Sequence, residues 1–127
     1  MIKTIATLFI AAAAMAVMTG CSVVEKADPA AFNGQKVTTA GTPVCHISAC
    51  TTGLYFLWFP LITGSDTNPG FPTFLKDTVN PNCLSEMITS RSNEAGGKQV
   101  VDLVTRSSSS GFLFSIRTAH ASGTAVK

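Results

Sequence analysis

Residues 80–97 read NPNCLSEMITSRSNEAGG, and the assignment of a fold to the whole chain turns on them. The short side chain of Asn80 can accept one of the N–H groups that a helix leaves orphaned at its start. Pro81 suits the first helical position, where a missing N–H costs nothing, and Gly96-Gly97 supplies a left-handed stop. Between these ends Leu84, Met87, Ile88 and Ala95 fall on one stripe, and Glu86, Ser90 and Asn93 fall opposite. The spacing predicts a helix over 81–95 whose single apolar stripe has to be covered by something else.

The flanking residues supply the cover. Downstream, Val100-Val101-Asp102-Leu103-Val104 marks a strand over 99–105. Phe112, Phe114 and Ile116 alternate with Ser115 and Arg117 over 112–121, a period of two that predicts one buried and one wet face. The serines at 107–110 with Gly111 read as a solvated loop of about five residues, short enough to favour an antiparallel hairpin. Upstream, residues 44–52 alternate and carry β-branched side chains, and Gly53 interrupts them. Residues 54–62, LYFLWFPLI, then read as a second strand buried on both faces and ending at Pro60. The run is too short to span a membrane, although Tyr55 and Trp58 would suit a loop dipping into one. Residues 63–76 are turn-rich: Asn68-Pro69-Gly70 has the residues a type II turn requires, and Phe71, Phe74 and Leu75 are expected to pin this loop to the core. The order β-β-loop-α-β-β over 43–127 predicts an α+β domain, a small antiparallel sheet with one helix packed across one face.

The start of the chain has a different character. Lys3 precedes an apolar run over 5–18 broken only by Thr7. At about 1.5 Å per residue that run reaches about 21 Å, short of the ~30 Å hydrocarbon core, so it reads as a secretory signal peptide rather than a membrane span. Met18-Thr19-Gly20-Cys21 then resembles the lipobox of bacterial lipoproteins, with Met18 where that family prefers Leu. The resemblance covers residues 1–21. It implies that residues 1–20 are removed and that Cys21 becomes the first mature residue, carrying a diacylglyceryl thioether and an amide-linked acyl chain such as palmitate. It also implies a membrane partner through that lipid. Ser22, where Asp would commonly retain a lipoprotein in the inner membrane, points to the outer membrane, facing the periplasm. Ala27-Asp28-Pro29, Asn33-Gly34 and Gly41-Thr42 make residues 21–42 read as a flexible tether with one short strand at 36–39. A small domain on a lipidated tether is similar in outline to uncharacterised outer-membrane lipoproteins. It is also similar to envelope stress-sensing lipoproteins that carry a Cys-bearing βαββ domain. The likeness implies a structural, interaction or stress-sensing role with an envelope protein as partner. The candidate contact surface is the 54–62 run or the rim of the sheet.

Charge narrows the classes further. From Cys21 onward eight Lys and Arg face seven Asp and Glu, too even a balance for a nucleic-acid surface or a polybasic membrane tether, and Ser and Thr fill 25 positions. No G-x-S-x-G, H-E-x-x-H or phosphate-cradling glycine loop is present. His46 and His120 have only Asp102 as an acid within the expected strands, so neither catalysis nor a cofactor is expected. Three cysteines remain besides Cys21. In an oxidising compartment one disulfide is expected, with Cys50 and Cys83 the favoured pair, Cys50 lying near its strand's end and Cys83 in the first helical turn. The alternative is a metal-binding or thiol-redox site built from Cys45, His46, Cys50 and Cys83. Those four residues could supply tetrahedral ligands, although C-H-x3-C matches no common zinc spacing. A cysteine at a helix N-terminus, as Cys83 would be, is also well placed for thiol exchange.

Overall fold

The computed structural model describes Thr4, Thr7, residues 22–28 and residues 40–127. The signal peptide, Cys21 and the short strand expected at 36–39 lie outside the described residues.

The helix forms as its sequence dictates. It spans Pro81–Glu94 (α1), Asn80 Oδ1 accepts the Cys83 N–H at 2.9 Å, and Pro81 opens the first turn. Gly96 has φ +81°, and the Gly97 N–H returns to the Ser92 carbonyl at 2.9 Å, closing the C-terminus. Leu84, Met87 and Ile88 are buried, as the stripe requires, and Ser92 joins them one turn on.

Among the described residues six strands make one antiparallel sheet: β1 Ser22–Ala27, β2 Pro43–Phe56, β3 Phe59–Gly64, β4 Pro72–Phe74, β5 Gln99–Gly111 and β6 Phe114–Val126. The α+β class therefore holds, with two strands more than expected. The order is β4-β3-β2-β6-β5, and β1 also pairs with β2. β1 meets residues 46–51 of β2 and β3 meets residues 53–56, so β1 and β3 lie end to end along one edge of β2. At their joint Ser22 is fully buried, its hydroxyl donates to the Ser65 carbonyl, and its own carbonyl accepts the Gly70 N–H at 2.8 Å.

Four expectations are corrected here. The first six residues after Cys21 are strand rather than tether, because an edge strand needs only backbone partners and Glu25 and Lys26 disguise it as linker. Gly53 does not end a strand. β2 runs through it, and a side chain there would come within 2.7 Å of Thr63 and 2.9 Å of Val79. The 54–62 run is not one strand: it turns back at Leu57-Trp58, with Leu57 at φ +54°, so that Phe56 pairs with Phe59. Finally, the serines at 107–110 are strand, paired with residues 116–119 of β6. Their side chains are exposed, and hydrophobic patterning has no view of a ladder made by backbone alone.

The core lies between α1 and one face of the sheet. Leu84, Met87 and Ile88 pack on Cys45, Ile47 and Ala49 of β2 and on Ala119, Ala121 and Ala125 of β6. The four alanines let the helix settle close to the sheet. That choice sets the parity of β6, since burying residues 119, 121 and 125 carries Ser115 and Arg117 to the same face. Phe114 and Ile116, expected inside, are thereby turned to the open face and are exposed, while Ser115 is buried. A 14-residue helix is about 21 Å long and a 14-residue strand about 46 Å. The helix therefore covers about half of that face; beyond it Val79 and Arg117 close over Gly53 and Tyr55, and the hairpin tips at 57–58 and 112–113 stay bare.

Candidate functional surface

β2 decides where the thiols go. Residues 45, 47, 49, 51, 53 and 55 are buried on the helix side and the residues between them are half-buried on the other. Cys45 accordingly belongs to the helix-side core, and burial pushes its thiol pKa up, with Lys26 opposing this and Asp28 adding to it. His46 and Cys50 occupy the opposite face. Cys83 sits in the first turn of α1, on the helix side. Cys50 and Cys83 are thus on opposite sides of the sheet, and no disulfide joins any two of Cys45, Cys50 and Cys83. The expected Cys50–Cys83 disulfide is corrected on that ground: the strand's period of two sends Cys50 away from the helix. The same alternation disperses the alternative site. Cys45 and His46, as strand neighbours, point apart, and among the described residues no three His, Cys, Asp or Glu side chains gather as metal ligands would.

Both histidines meet hydroxyls. His46 Nδ1 lies 3.1 Å from Thr124 Oγ1, and His120 Nε2 lies 3.0 Å from Ser48 Oγ. Across the strands His120 faces Cys50 and Arg106, so register brings no carboxylate beside it to orient a Ser–His pair. Asp102 is exposed at φ +55° in a β-bulge where two residues of β5 face Gly123.

A groove adjoins the helix. It lies between β1 and the C-terminal half of α1, holds about 270 Å³, and is bordered by Val24, Lys26, Arg91 and Glu94. Arg91 and Glu94 pair with each other at 2.6 Å on its wall, and Glu25 also lines it.

The bare end of the sheet is chemically distinctive. Two hairpin tips meet there: the Leu57 N–H donates to the Leu113 carbonyl at 2.7 Å, and the Phe56 and Phe114 rings lie 5.2 Å apart, tilted at 51°. At these tips Trp58 is 77% exposed and Phe112 87%, with Phe59, Leu113 and Ile116 exposed as well, and along the β3–β4 edge Phe71 is 68% exposed, Phe74 64% and Leu75 is exposed. The segments 54–63, 71–75 and 110–116 contain no Asp, Glu, Lys or Arg. Scattered apolar residues are ordinary on a surface, but exposed aromatics gathered on two touching hairpin tips mark an interaction site. The expectation that Phe71, Phe74 and Leu75 pin the loop to the core is corrected, since all three face outward. The loop is instead held by polar contacts. Lys76 pairs with Asp66 at 2.6 Å, and Thr78 and Ser22 donate to the Gly64 and Ser65 carbonyls. Reading residues 54–62 as a core strand hid Trp58, and the signal that could have found the patch is the absence of charge from three separate segments.

Beneath the patch lies Tyr55, the largest fully buried side chain. Its hydroxyl donates to Asp77 Oδ1 at 2.6 Å and the Arg117 guanidinium stands 4.3 Å from its ring centroid. Burial, and then the Asp77 carboxylate, push the phenol well above the usual range, so it stays a donor.

In comparisons with known proteins no family model matches the chain, and no curated protein or solved structure matches it. Among the described residues no helix is long and apolar enough to cross a membrane.

Proposed function

We propose that the protein is a lipid-anchored component of the bacterial envelope, attached through Cys21 to the outer membrane and facing the periplasm, with an interaction or stress-sensing role and no catalysis of its own. The observation that carries this reading is the position of the Met18-Thr19-Gly20-Cys21 motif. It follows a short apolar segment led by Lys3, with the small residues Thr19 and Gly20 directly before the cysteine, the pattern a secretory cleavage site takes. The even charge balance supports an acyl anchor over an electrostatic one, and several acyl chains at about 0.8 kcal/mol per buried CH₂ hold a small domain durably. The dispersed thiols and histidines support a binding role over thiol or metal chemistry.

Intact mass of the protein extracted from membranes tests the reading. The expected species begins at Cys21 and carries the added mass of a diacylglyceryl group and an amide-linked acyl chain, and Cys21→Ala removes both that mass and membrane partition. A native chain that keeps residues 1–20, or begins at Cys21 with no acyl mass, would overturn it.

A further inference from the structure

We infer that the bare aromatic end of the sheet is a lipid-docking face, seated in the headgroup region of the same bilayer that holds Cys21. The inference rests on the lipid-anchor reading for the identity of that bilayer, and on geometry for the rest.

The direction of β1 sets the geometry. β1 runs antiparallel to β2, with Ser22 opposite Thr51 and Ala27 opposite His46. The chain therefore enters β1 from the end of the sheet toward which β2 runs, the end that finishes at Phe56, Leu57 and Trp58. From the level of Ser22 to that of Phe56 is five residues of β2, about 17 Å. On the near side Ser22 is bonded through its carbonyl to Gly70, and the next residue is the exposed Phe71. Cys21 is one peptide bond from Ser22, and β1 is already sheet, so an acylated Cys21 is joined to the fold on the side of this end with no linker between.

The chemistry matches a bilayer better than a protein partner. Trp58 suits the headgroup boundary, where an amphipathic ring is most stable, and Phe112, Leu113 and Phe114 at the neighbouring tip offer apolar surface to the acyl region. A protein partner selected for specificity would be expected to meet charged or hydrogen-bonding groups at a rim, and here three segments in succession carry no charge. Because the helix stops short of this end, the tips project beyond the rest of the fold and can reach a flat surface without obstruction.

Trp58 is the single tryptophan, so the protein carries its own reporter. The native acylated protein is reconstituted into phosphatidylcholine vesicles with or without bromine near the top of the acyl chains, and its intact mass is measured on the same sample. The expected result is loss of more than half of the Trp58 emission in brominated vesicles. Most of that quenching should disappear in the Phe112→Ser/Leu113→Ser variant, which alters two exposed side chains and is checked by circular dichroism. Equal emission in the two vesicle types, with acylated Cys21 seen by mass, overturns the docking face and leaves the anchor standing. Quenching without acyl mass has the reverse meaning. A blue shift that grows with protein concentration and ignores bromine would assign the patch to a second copy of the chain, and also overturns the inference.

Discussion

Tyr55 joins the helix-covered half of the sheet to the bare half. Its ring is wholly buried under Arg117 while its hydroxyl reaches out to Asp77 on the segment leading to α1. A hydrogen bond to a charged acceptor is worth more than a neutral one, but Asp77 is exposed and water replaces the lost donor at little cost. Tyr55→Phe is therefore expected to destabilise the fold by about 1 kcal/mol in urea titrations, with the m-value unchanged. A loss much above that would mean the hydroxyl also organises the segment running from Asp77 into the Asn80 cap. Leu57 offers the contrasting case. It adopts φ +54° in a two-residue turn where glycine or asparagine is the ordinary choice. Nothing in the amino-acid type at position 57 announces that turn, which is why the aromatic run reads as a single strand.

At the scale of elements, β2 is the organising strand, and its alternation sorts the cysteines by face. Cys45 is 1% exposed and its thiol is held up by burial, whereas Cys50 and Cys83 are only half-buried. Alkylation of the native protein at neutral pH is expected to label Cys50 and Cys83 well before Cys45, and labelling of Cys45 should keep pace only in denaturant. Peptide mapping at timed intervals reads the order, and early labelling of Cys45 would place it outside the core. The helix was legible because cap, stripe and stop agreed over a single segment. The two strands that follow it in sequence, β5 and β6, were legible only in part. Their apolar halves declared themselves, but the serines of β5 pair through backbone alone. In β6 the alternation of Phe with Ser and Arg pointed to the wrong face, because the helix selects the alanines at 119, 121 and 125. β1 was illegible for want of any face pattern of its own. Much of the candidate surface was in view as residues 54–62, but its exposure was not, since a long apolar run says nothing about how far a covering helix extends.

The molecule as a whole is closed at the joint of β1 and β3 by the strap over residues 65–76. Lys76, through its hydrogen bond, holds the Asp66 carboxyl below its usual pKa, and Asp66 in turn raises the lysine. A lowered acid contributes stability above its unfolded pKa and loses it as pH falls through the folded value. A raised base contributes below its unfolded pKa and loses it as pH rises through the folded value. The latch should therefore be fully engaged between about pH 4 and about pH 10, and should weaken outside that window and in high salt. Hydrogen exchange at the Gly70 amide, which bonds to Ser22, is the direct readout, compared between the native protein and Asp66→Asn. After correction for intrinsic rates, the variant should show at neutral pH the faster exchange that the native protein reaches only in acid. Equal protection in both would mean that the hydroxyl contacts of Ser22 and Thr78 hold the strap unaided.

The end-to-end placement of β1 and β3 along one edge of β2 has a mechanical meaning. A chain anchored through Cys21 is pulled at the leading end of β1, along the strand and away from Ala27. Tension in that direction slides β1 against β2, so the ladder between Ser22–Thr51 and Ala27–His46 resists as a set rather than opening one bond at a time. Had the polypeptide entered from the other end of the sheet, the same pull would have peeled the strand away progressively. An anchor at Cys21, as proposed, would thus be held in shear, the orientation in which a short strand withstands force best.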